Sequence, residues 1–120
     1  MTVGHIDDLA GKLLTGQDLR GVSRKIPISP LEGWRDHVLR VFEIAPGGHT
    51  PRHGHDWFHV NYILSGEGIL VMDGVDHPVR SGSYAFVPAG VEHQFRNPGT
   101  TPFVFICVVP EAGDHSYRDR

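Results

Sequence analysis

The chain has 120 residues, 39% apolar and 21% charged, with a formal net charge of -3. That length suits one domain with one core, and the apolar share excludes a disordered chain. The scattered basic residues speak against a nucleic-acid partner, no apolar run approaches the roughly 20 residues of a membrane helix, and the lone Cys107 excludes an internal disulfide or a cysteine-based zinc motif.

The N-terminal stretch MTVGHIDDLAGKLL is acidic and lacks the charged-then-apolar pattern of a signal peptide, so a cytoplasmic location is expected. Residues 1–20 hold the one helical signal. Asp7 and Asp8 can cap a short helix carrying Leu9, Leu13 and Leu14, although Gly11 and Gly16 interrupt it. Beyond Gly21, runs rich in β-branched and aromatic residues alternate with glycine and proline. VSRKIPIS (22–29), HVLRVFEIA (37–45), VNYILSGEGILVMDG (60–74), YAFVPA (84–89), HQFRN (93–97) and PFVFICVVP (102–110) read as strands. PGGHTP, SGEG, DGVDHP, RSGS, PAGV and NPGTTP read as turns between them. Strands at this spacing predict an all-β sandwich or barrel. PFVFICVVP is apolar throughout, so it is expected to be buried on both faces or covered by another subunit.

The chemistry gathers in TPRHGHDWFH. His53 and His55 lie at i and i+2, which on a strand places both imidazoles on one face. A turn over residues 54–58 could return His59 toward them, and His93 opens a later strand after a Pro-x-Gly turn. Four imidazoles suit Zn, Ni, Fe, Mn or Cu and are poor ligands for Ca or Mg. The competing reading is a solvated polar loop that happens to be rich in histidine.

The glycine and proline frame favours a metal site. Gly47, His53, His55 and Gly66 sit at the spacings of one motif, and Gly82, Pro88, Gly90, His93 and Asn97 at those of a second. On these residues the chain resembles a small single-domain cupin. The resemblance implies an all-β double-stranded β-helix, a jelly-roll barrel, after a short irregular or helical N-terminal segment. It implies a barrel over 31–112, an N-terminal arm over 1–30 free for strand exchange or a dimer contact, and a tail over 113–120. One departure matters. Cupins usually place a glutamate between the His-x-His pair and the following glycine, whereas here His59 fills that place. HGHDWFH is similar to a four-histidine subset with an HxHxWxH pattern, which carries metal binding to His53, His55, His59 and His93 and carries no reaction.

Four neutral imidazoles leave the +2 charge of an ion uncompensated, which draws an anionic ligand and favours polarisation of a bound carbonyl. Substrate-binding candidates are Arg40, Glu43, Trp57, Asn61 and Phe95. Either Arg40 or Glu43 points into the barrel, and their opposite parity allows only one of them to do so. Asn61 shares parity with His59, and Phe95 with His93. Trp57 either lines the pocket mouth or packs at the rim. The expectation is a protein holding one divalent transition metal per chain and acting as a metalloenzyme on a small carboxylate or carbonyl compound, of dioxygenase, decarboxylase or isomerase type. The alternative is a non-catalytic module that binds or senses a metal or small molecule. A third reading is a barrel that a metal merely stabilises. The expected partners are a small-molecule ligand and a second copy of the chain in a homodimer, with no nucleic acid and no membrane.

Overall fold

The computed structural model describes residues 1–119; Arg120, the end of the expected tail, lies outside the described residues. Among the described residues, the glycine- and proline-punctuated sequence folds into nine strands. They are β1 (Lys12–Leu13), β2 (Arg20–Ile28), β3 (His37–His49), β4 (His59–Ser65), β5 (Glu67–Met72), β6 (Val75–Arg80), β7 (Tyr84–Val87), β8 (His93–Arg96) and β9 (Phe103–Pro110). All pair antiparallel in the order β6-β5-β8-β3-β9-β4-β7, with β2 also on β3 and β1 on β2. The winding is the jelly-roll barrel that the motifs imply.

Side-chain parity fills the interior. On β9, Phe103, Phe105, Cys107 and Val109 are buried. They face Val38, Phe42 and Ile44 of β3 and Val22 and Ile26 of β2. The centre is aromatic, with Phe95 stacked on Phe105 at 4.2 Å between centroids and Phe42 stacked on Phe105 at 5.6 Å. Truncating a buried phenylalanine of this kind to alanine costs about 3–5 kcal/mol. Gly68 permits part of this packing, because a Cβ there would lie 2.3 Å from the Phe103 ring. Gly90 takes φ +82 and so turns the chain into β8, delivering His93.

Several expectations need correction. The N-terminal helix is absent. A single 3-10 turn, Ile6–Asp8, is capped by His5 rather than by an aspartate, and Leu13 pairs in β1. DGVDHP is not all turn, since Val75 to Arg80 form β6. That strand pairs with β5 alone and lies at the end of the sheet order, where Pro78 is tolerated. β3 runs on through His49, past the predicted end of its strand. PFVFICVVP is buried on one face only. Val104, Ile106 and Val108 are half-buried on the outside, so the run is apolar because two surfaces are apolar, not because both are sealed.

Segments near both ends pack onto the barrel. Residues 20–28, within the expected arm, pair along β3 of the same chain. Leu14 and Leu19 pack against the core, and Tyr117 near the C-terminus is buried.

Candidate metal centre

Two turns bring the histidines together. His53 bridges His93 through paired backbone hydrogen bonds of 3.1 and 2.9 Å, and the Gly90 amide donates to the His55 carbonyl at 2.7 Å. These contacts splice the loop after β3 onto the turn before β8. His53 therefore sits on an isolated bridge and His55 in a loop, so the two are not successive inward residues of one strand. The side-chain nitrogens of His53, His55 and His93 nonetheless lie within 4.8 Å of one another. His59, first residue of β4, completes the surroundings. Its Nε2 stands 3.0 Å from His93 Nε2.

Hydrogen bonds fix the rings. His55 Nδ1–H donates to the Trp57 carbonyl at 2.9 Å, and His93 Nδ1–H to the Val91 carbonyl at 2.9 Å. His59 Nδ1–H donates to Asn61 Oδ1 at 2.6 Å, and Asn61 is itself oriented by donating to the Ile106 carbonyl at 3.2 Å. With each Nδ1 directed at an oxygen acceptor, Nε2 is the ring nitrogen left free to meet a ligand, the arrangement in which metal-binding histidines are held by outer partners. Burial lowers the proton affinity of His53, with the neighbouring His93 and His55 adding to the effect. Burial, reinforced by His93, brings His59 down to about 3. Burial also lowers His93, against the opposing hydrogen bond to Val91. The 3.0 Å approach of these two nitrogens suits either a shared proton or two bonds to one ion. Nitrogens bonded at about 2.1 Å to one ion, at right angles, stand about that far apart. The donor set fits a divalent transition metal, and the three-histidine cluster can hold one.

The rings open onto a cavity of about 250 Å³. Of the other expected site residues, Arg40, Trp57 and Phe95 line it. Glu43 does not; it is exposed on the outer face of β3. The parity that decides between the two is visible in Val38, Phe42 and Ile44, all buried on the inner face with Arg40 between them. Asn61 is fully buried behind His59 rather than at the cavity wall. Glu92 faces outward and pairs with Arg52 at 2.7 Å.

Further lining residues come from outside the motifs. Arg24 and Arg40 both face the cavity, with side chains 13% and 15% exposed. One carboxylate serves both. Asp114 lies 3.3 Å from Arg40 and 4.0 Å from Arg24. Burial opposes its ionisation, but hydrogen bonds from Ser116 and the two guanidiniums hold it below the usual carboxylate range. Arg40 also reaches Cys107 Sγ at 2.8 Å, yet burial pushes that thiol up, so it stays neutral. The signal for Arg24 is its place between Val22 and Ile26, both buried on the same side of β2.

A small antiparallel barrel with histidines gathered at a cavity of about 250 Å³ defines a metal-capable jelly-roll protein. The Cupin_2 family, a cupin domain, matches residues 40–109, and the chain belongs to the cupin family. It is 34% identical over 68 residues to an oxalate-binding protein of Thermotoga maritima, covering 56% of each chain. It is 32% identical over 106 residues to a 1-methylthio-D-xylulose 5-phosphate methylsulfurylase of Rhodospirillum rubrum, covering 87% of this chain and 65% of that protein. The chain thus spans less than two thirds of the length of these relatives. Among solved structures it is similar to the polyketide cyclase RemF of Streptomyces resistomycificus, with a TM-score of 0.86 and 29% identity over 92% of this chain and 79% of that one.

Proposed function

We propose that the protein holds one divalent transition metal per chain through His53, His55, His59 and His93 and acts as a metalloenzyme on a small carboxylate or carbonyl compound. The observation that carries this reading is the approach of His59 Nε2 and His93 Nε2 to 3.0 Å in a buried setting where each Nδ1 meets an oxygen acceptor. A bound ion of this kind would supply Lewis-acid polarisation of a carbonyl or carboxylate oxygen. The chain's own groups bind and orient. Phe42, Phe95 and Phe105 form an apolar wall, and the volume limits the ligand to a small molecule. Relatives named for oxalate binding and for polyketide cyclisation support a ligand rich in carboxylate or carbonyl oxygen.

A second reading, a non-catalytic module that binds a small molecule, is favoured by one observation. No aspartate, glutamate, lysine or tyrosine lines the cavity among the described residues, so a general base is not at hand. Homodimerisation belongs to the same proposal and rests on the apolar outer face of β4 and β7.

The experiment is metal analysis of protein from a metal-replete culture, followed by turnover and oxygen uptake with a panel of small acids and ketones. About one transition metal per chain with turnover supports the enzyme. One metal and saturable binding without turnover supports the module. Protein that stays empty after supplementation overturns the metal site.

A further inference from the structure

The charge along the arginine-lined part of the cavity does not balance. Among the described residues, Arg24 on β2 and Arg40 on β3 are its only charged lining residues, and Asp114 is the single carboxylate ion-paired with them. The sheet sets the pair side by side: Arg24 is opposite Phe42, and Arg40 is two residues from Phe42, on the same inner face. Their environment leaves donors over. Arg24 has one ionic contact, at 4.0 Å, longer than a hydrogen bond. Arg40 spends one nitrogen on Asp114 and one on a neutral thiol. The Nε–H of each arginine is buried with no acceptor in the protein. A buried cation that lacks a partner destabilises a fold, so a surplus guanidinium retained here points to an external anion. The planar guanidinium fork matches a carboxylate, which accepts two parallel N–H bonds.

We propose that Arg24 and Arg40 form the carboxylate-docking end of this cavity, holding a small organic carboxylate by its charged end, with its body against Phe42, Phe95 and Phe105 and its other end toward the histidines. The inference rests on the reading of the cavity as a small-ligand site, and it departs from that reading on one point. The ligand's carboxylate sits on the arginines rather than on the metal, and the metal is left to a second group of the ligand. A single surplus positive charge calls for one carboxylate at this end. The apolar wall calls for an uncharged body.

The test uses the full chain, metal-loaded and chelator-treated, with benzoate as probe and benzamide as its uncharged isostere. Calorimetry should find benzoate bound at least tenfold more tightly than benzamide. Arg24→Gln and Arg40→Gln should each weaken benzoate at least tenfold while metal content stays at the wild-type value. Chelated protein should keep benzoate affinity within about threefold, since the metal is not the anchor. Arg96→Gln, on an exposed ion pair with Asp76, should change nothing. Benzoate bound no better than benzamide overturns the proposal without recourse to any variant. Benzoate affinity that vanishes on chelation and ignores both arginine variants also overturns it, and leaves the metal reading intact. An empty metal site with arginine-dependent benzoate binding does the reverse.

Discussion

His59 Nε2 and His93 Nε2 face each other at 3.0 Å, and each ring has already committed its Nδ1–H to another acceptor. The two residues lie on separate strands, β4 and β8, which do not pair. A shared ion would account for both nitrogens pointing to one spot. His59→Ala should therefore lower metal retention by at least tenfold, whereas His77→Ala, on exposed β6, should retain the wild-type amount. Elemental analysis after extensive dialysis measures both. Equal retention in the two variants would remove His59 from the ligand set.

The same burial sets a pH dependence. Burial first, then the His93 charge, brings His59 from 6.5 to about 3 in the folded chain. Between those values the unfolded chain takes up a proton that the folded chain refuses. Stability of the metal-free protein must then fall as pH drops below about 6.5, with the full loss reached near pH 3. At 1.36 kcal/mol per pH unit, His59 alone contributes on the order of 5 kcal/mol across the window. His53 and His93, also lowered by burial, act in the same direction. Urea unfolding of chelated protein at pH 7.5 and 4.5 measures the fall. His59→Gln should show a shallower fall than wild type, and an identical one would show that this ring does not carry the effect.

Asn61 connects ring orientation to the core. It is fully buried, accepts from His59 and donates to the Ile106 carbonyl. Asn61→Leu keeps the volume roughly but strands a buried N–H and a buried carbonyl. The expected cost is about 1–3 kcal/mol of stability. Metal affinity should fall about 10–100-fold, as for other outer partners of ligating histidines. Thermal unfolding of the metal-free form and chelator competition separate the two effects. A loss of stability with unchanged metal affinity would reduce Asn61 to a packing residue.

The barrel and its histidines were legible because they depend on local rules. Gly82, Pro88 and Gly90 mark turns, and the alternation of strands and turns carries the topology with them. The arginine end was much less legible. Arg24 and Asp114 come from the two termini, beyond any motif, and meet only because β2 pairs with β3 while the chain after β9 folds back. Arg40 could have been assigned from parity alone, since Val38, Phe42 and Ile44 share its side of β3. β6 escaped because an edge strand needs neither apolar alternation nor every amide, so Asp76, His77 and Pro78 imitate a turn. For PFVFICVVP, burial on both faces within one chain is not met, and cover by another subunit is the alternative that stands. Sequence does not separate a strand sealed on both faces from one whose outer face is apolar and half-exposed.

That outer face carries the last prediction. Val60, Tyr62 and Leu64 on β4 are 44%, 48% and 42% exposed, and Tyr84 and Phe86 on the adjacent β7 are 84% and 57% exposed. The rows are in register, with Val60 opposite Phe86 and Tyr62 opposite Tyr84, and Ile106 and Val108 of β9 continue them on the other side. β7 ends the sheet order, so the patch reaches a free edge. A contiguous apolar face of this kind is uncommon on a monomer, and two copies related by a two-fold axis would cover it with the same residues from each. Light scattering of the wild type should return twice the mass of one chain. The pair Tyr84→Glu and Phe86→Glu, both outward and remote from the cavity lining, should return the mass of one chain with metal content unchanged. A wild type that scatters as a single chain at working concentration would rule out the homodimer.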